Sequence, residues 1–371
     1  MTSKDALHSG KHIAGLDVIR GMAILMVVTY HGFNSISPQN LSAMPDWFQL
    51  ACVYSGFLHL GVHLFFILSG FLITRILLDS KNKPDYYKNF YLRRIARIAP
   101  AYLLVLAALL ISGYISLKYA LVCLLFMCNM PGILGVRNEY GPLWSLSVEE
   151  QFYLAWPFVA KKLNQRQLFV LAASIIILSP GLRWILQFGP TALRDIHFKT
   201  WAVSDFFAAG ALAALCIHNS VKVKPIGWLA VLAGLISVWM QFNTGNWGSP
   251  LDKALYPTPY LMLFTGIILL AYDAQKMERS KLGRFFCFFG EISYGLYLIH
   301  QFVFDVTSQQ FATIGMVSVQ MHVAVQLTLE FGIATLIALV SRRTIEAWFL
   351  SRTSTSQSTK EIRLHQAALN T

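Results

Sequence analysis

Runs of apolar residues long enough to cross a lipid bilayer recur along this chain, and they leave few folds open to it. They lie at about 16–33, 57–78, 98–115, 148–160 with a backward extension, 167–187, 201–218, 226–242, 257–273, 285–306 and 319–341. Lipid supplies no hydrogen-bond partners, so a spanning segment must satisfy its own backbone, as a helix does. The expected fold class is therefore all-α, a polytopic membrane helical bundle of about ten transmembrane helices. Composition agrees: 56% of residues are hydrophobic and 13% are charged, against about 25% charged in a soluble domain.

A further run at 119–130 is short and ends at Asn129, Pro131 and Gly132. Lysine and arginine favour cytoplasmic loops, and their distribution decides how this run is read. If it does not cross, one side of the membrane collects 22 of the 30 Lys and Arg residues; if it crosses, the basic loops are split. The expectation is a re-entrant or shallow segment bordering a cavity on the far side, with both termini cytoplasmic in a cell inner membrane. Residues 1–348 form one transmembrane domain in this reading, and 349–371 form a polar, Ser/Thr-rich cytoplasmic tail. The first apolar run contains Asp17 and Arg20 and has no small-residue cleavage site after it, so it reads as a retained helix. The net charge of +12 sits in short clusters between apolar runs, which is positive-inside topology and not a nucleic-acid surface. Five cysteines show no CxxC or Cys/His metal pattern and read as small packed side chains; no metal is expected.

Charges are costly inside a bilayer, so those placed there point to function. In the first helix Asp17 and Arg20 are three apart and can pair. Arg20 and His31 are eleven apart, on one face; at 1.5 Å per residue they are separated by about 16 Å. This spacing allows an arginine that receives an anionic donor at the cytoplasmic end and a histidine that acts as base at the far end. It also allows a snorkelling arginine and a hydrogen-bonded interfacial histidine. Arg93, Arg94 and Arg97 cluster at the cytoplasmic start of a later helix, where arginine forks suit phosphates and also obey the positive-inside rule. Ser145, Ser147, Glu149 and Glu150 open a helix at the far face. One glutamate can cap it while the other faces a cavity, orients His31 or binds sugar hydroxyls. His63 and Arg75 are weaker candidates, and the Ser69–Gly70 pair between them reads as a close helix contact; Asp205, Glu291 and His300 can line the cavity, with a structural hydrogen bond as the favoured reading of each.

Several segments, in order, resemble the acyltransferase 3 family of integral membrane acyltransferases. GLDVIRG with His31 is similar to its first-helix motif, a basic residue and a histidine separated by ten others. GVHLFFILSGFLIT, RRIARIAPAY, WSLSVEEQFYLAWP and GEISYGLYLIHQ resemble its second-helix, third-helix, acidic and late-helix signatures. The resemblance implies a membrane O-acyltransferase that moves an acyl group, acetyl as a rule, from acetyl-CoA or another acyl-CoA to an extracytoplasmic carbohydrate. Arg20, Arg94 and Arg97 would then serve the donor, and His31 would be catalytic, with Glu149 or Glu150 fixing its tautomer. The chain would act within membrane lipid, alone or with a separate extracytoplasmic transferase.

Two mechanisms stay open: His31 as general base for the acceptor hydroxyl, or His31 as a nucleophile that carries the acyl group. The acceptor is also open, among a lipid-linked sugar, a polysaccharide, peptidoglycan and a small molecule such as an antibiotic. Trp144, Trp247 and Tyr256 fall near the far face, where they can stack on a sugar or form an interfacial aromatic belt. A proton-coupled transporter would use similar intramembrane charges without consuming a thioester.

Overall fold

In the computed structural model the described residues are 13–189, 198–244, 249–274, 277–311 and 318–349, and they are helical with no strand among them. The described residues include ten long helices: α1 (Ala14–Asn34), α2 (Gly61–Ser80), α3 (Tyr86–Ile111), α5 (Leu143–Lys162), α6 (Gln165–Leu186), α7 (Thr200–His218), α8 (Val223–Thr244), α9 (Thr258–Asp273), α10 (Lys281–Phe311) and α11 (Val319–Ser341). The short α4 (Leu117–Leu124) lies between α3 and α5. Eight of the long helices are apolar enough to cross a membrane by length and composition. The other two, α5 and α10, have 20 and 31 residues and carry internal charges, Glu149 and Glu150 in one and Glu291 and Asp305 in the other. Twenty residues of helix span about 30 Å, the thickness of a bilayer core. Lipid-facing helices such as α8 are exposed along most of their apolar surface, whereas α2 and α7 are largely buried. The tail at 350–371 and Trp247 lie outside the described residues.

The helices match the expected apolar runs, with two differences. First, α3 begins at Tyr86, so Arg93, Arg94 and Arg97 lie inside the helix and not at its start. Second, α5 begins at Leu143 after Pro142, with no side-chain cap. Glu149 and Glu150 are therefore one to two turns inside, and neither caps the helix. α4 ends after eight residues. A turn follows in which Phe126 takes a positive φ and the sulfurs of Cys123 and Cys128 meet, their Cα atoms 5.2 Å apart.

Two close helix crossings hold the centre. α1 packs on α10, and a Cβ at Gly21 would lie only 1.9 Å from the Phe286 carbonyl oxygen. α2 packs on α7, and a Cβ at Gly70 would lie 2.1 Å from the Phe207 carbonyl oxygen. Small residues let backbones approach where apolar burial cannot drive helices together, because lipid is itself apolar. The first crossing sets α1, with Arg20 and His31, against α10, with Tyr297 and His300.

Candidate active site

Two cavities lie along the axis between α1, α2, α5 and α10. The inner cavity, about 100 Å³, is lined by Arg20 of α1, Arg94 and Arg97 of α3, and Glu149 and Tyr153 of α5. Three guanidiniums thus face one carboxylate, and Asp17 pairs with Arg20 outside the cavity lining. Glu149 is held by two hydroxyls, those of Ser69 and Tyr153, which both donate to its Oε1. The Arg94 guanidinium lies over the Tyr153 ring, 5.0 Å from its centre. Such a surface suits an anion, because arginine presents paired N–H groups to phosphate oxygens.

The outer cavity, about 420 Å³, is lined by His31, His59, His63, Trp144, Tyr256 and Gln301, among others. The His59 ring lies parallel to Tyr256 with centres 6.5 Å apart. Asn138 lines the same cavity and accepts from the Tyr119 hydroxyl at 2.8 Å. Tyr114 donates to Asp305, one turn beyond Gln301 on α10. Burial, and then this hydrogen bond, push the Tyr114 phenol well above its ordinary value.

The tautomers of His31 and His300 follow from their acceptors. His300 is fully buried, and its Nδ1 lies 2.8 Å from the Tyr297 carbonyl and 3.1 Å from that of Leu296. Carbonyls only accept, so Nδ1 carries the proton and the His300 Nε2 lone pair is left free. That Nε2 lies 3.3 Å from His31 Nδ1, which is also 2.9 Å from the Val27 carbonyl. Both neighbours accept, so His31 is protonated on Nδ1 and has its lone pair on Nε2. Among the described residues Nε2 has no hydrogen-bond partner, and the ring borders the outer cavity. An imidazole fixed in this way can take a proton or attack an acyl carbon through Nε2.

The sequence-predicted residues thus divide into two groups. Arg20, Arg94, Arg97 and Glu149 meet at the inner cavity, and His31 stands at the outer one. Glu150 lines neither cavity, although it adjoins Glu149 and lies within electrostatic reach of Arg94 at the inner one; its Oε1 is buried without a hydrogen-bond partner among the described residues. The side chain that meets His31 Nδ1 is His300 of α10, and Glu149 has its partners in the inner cavity. Among the remaining groups, Asp205 pairs with the buried Arg183 at 2.7 Å, and Glu291 lies 3.6 Å from Arg342 at the surface. Trp144 and Tyr256 both border the outer cavity. No cluster of metal-ligating side chains occurs among the described residues.

A family model described as an acyltransferase domain matches residues 13–341. The sequence is 28% identical over 335 residues to the peptidoglycan O-acetyltransferase OatA of Listeria monocytogenes, a match that covers 81% of this chain and 51% of that protein. It is 26% identical over 334 residues to Nodulation protein 10 of Rhizobium leguminosarum, with 80% and 84% covered. It is 24% identical over 383 residues to the O-acetyltransferase OatA of Staphylococcus aureus, with 92% and 58% covered. The chain therefore spans little more than half the length of both OatA relatives. No solved structure gives a significant match.

Proposed function

The chain belongs to the acyltransferase 3 family, and from that premise we propose that it moves an acetyl group from acetyl-CoA to a hydroxyl of an extracytoplasmic cell-envelope glycan. The observation that carries this reading is the end-to-end pair of cavities, one lined by arginines and the other by His31. A thioester donor with a phosphate-rich head and a thin arm has this polarity. In the proposed arrangement Arg20, Arg94 and Arg97 hold the phosphates on the cytoplasmic side, and the arm carries the acyl group toward His31. Both termini face the cytoplasm of the inner membrane, in keeping with the Lys and Arg distribution.

In the transfer step His31 Nε2 removes the proton of the acceptor hydroxyl as its oxygen attacks the thioester carbonyl. The carbon–sulfur bond breaks, and the proton passes to the departing thiolate, giving free CoA and an ester. His300 Nε2 and the Val27 carbonyl both accept from Nδ1, so the imidazolium that forms keeps its two partners. Glu149 has its hydroxyl partners in the inner cavity, which gives it the role of balancing the arginines that receive the donor. Trp144 and Tyr256 supply flat faces for a sugar ring in the outer cavity. A separate extracytoplasmic transferase would collect the acyl group at this same cavity.

Membranes bearing wild type or His31→Ala, in equal folded amounts, are given radioactive acetyl-CoA. Wild type is expected to label carbohydrate and release free CoA, and His31→Ala to lose about 10²–10⁴-fold of the rate, the usual worth of a positioned base. Equal transfer by both proteins would remove His31 from the chemistry. Absence of CoA release in envelopes that contain natural acceptors would favour a transporter.

A further inference from the structure

The two cavities have only Val62 and Tyr297 in common among their lining residues. Val62 is short and branched; Tyr297 carries the wall. Its ring is nearly buried and packs edge-on against Phe65, with centres 6.2 Å apart. Its hydroxyl lies 2.5 Å from Ser145 Oγ. Ser145 has the Pro142 carbonyl as its own acceptor at 3.2 Å, so the Tyr297 O–H is the donor of the pair. A core aromatic is normally packed on every side. This ring has empty space toward the inner cavity and toward the outer one, and a single neutral hydrogen bond latches it at the tip.

We propose that the Tyr297 side chain is a movable partition between the cavities, displaced by the acyl-bearing arm and restricting passage to short acyl groups. Closed, it keeps the membrane sealed along a path that otherwise joins an arginine-lined cavity to a histidine-lined one. Open, the ring turns away from Ser145 into the adjoining space. The partition itself follows from the two cavities alone, whereas the restriction on acyl length rests on the acyl-donor reading above.

The test uses purified protein in liposomes loaded with a pH-sensitive dye and given an external acid pulse. Wild type is expected to hold the gradient, and Tyr297→Gly to dissipate it. Ser145→Ala, a smaller change that keeps the ring, is expected to raise the leak about fivefold, the factor for one neutral hydrogen bond. Monodisperse elution and unchanged helical content establish that the variants are folded. If both folded variants are as tight as wild type, the partition is overturned. In parallel liposomes that enclose cell-envelope glycan as acceptor, CoA release is compared for acetyl-CoA and butyryl-CoA. A higher butyryl-to-acetyl ratio in Tyr297→Gly than in wild type supports the length filter, and an unchanged ratio overturns it. If wild type releases no CoA from acetyl-CoA, the donor reading fails while the leak still decides the partition.

Discussion

The tautomer of His31 is set by its two partners, the His300 ring and the Val27 carbonyl. Replacing His300 by Ala removes one of the two acceptors of the Nδ1 proton and leaves the Val27 carbonyl alone to hold the ring. Loss of such an orienting partner typically costs about 10- to 100-fold. The loss is expected in kcat, with KM for acetyl-CoA unchanged, since the site proposed for the donor's phosphates is the other cavity. His300→Asn, whose amide oxygen can accept from His31 Nδ1, is expected to restore part of it; equal kcat in all three proteins would exclude the positioning role. Arg94→Lys tests the opposite end. Lysine keeps the charge and loses the fork, so KM for acetyl-CoA is expected to rise about tenfold with kcat little changed. The Arg20–His31 relation was legible in the sequence because both residues share one helix and spacing fixes their faces. The His31–His300 bond was not legible, because it joins positions 269 residues apart and depends on which helices touch. Tyr297 and His300 are three apart on α10, a spacing that puts both toward α1 once that contact is known.

At the scale of helices, the site depends on how closely α10 lies against α1. A methyl group at Gly21 meets backbone, the Phe286 carbonyl, which cannot turn aside as a side chain can. Gly21→Ala is therefore expected to cost about 1–3 kcal/mol of stability, in the range of overpacked sites, and to lower transfer by moving His300 away from His31. Gly332→Ala is the matched control, since a Cβ there meets nothing within 4 Å. A thermal melt of both variants in detergent checks this, and equal loss from both would contradict it. Hydropathy located the helices well but not their ends. α3 was read from residue 98 and starts at Tyr86. Apolar content records the thickness of the bilayer, while a helix continues through its polar turn for as long as the backbone can bond to itself. The same polar turn brings Arg94 and Arg97 to the inner cavity.

At the scale of the molecule, the sequence carried the fold class through its apolar runs. It did not carry the existence of two cavities, which are spaces left between helices that no single segment encodes. The account turns on sidedness: a donor bound at one face and an acceptor served at the other. The most direct measurement uses sealed inside-out vesicles of the wild type, given radioactive acetyl-CoA either outside, at the cytoplasmic face, or trapped in the lumen. The account predicts that label reaches lumenal glycan only from acetyl-CoA supplied at the cytoplasmic face. Transfer from lumenal acetyl-CoA, or label confined to the face where the donor was added, would contradict it.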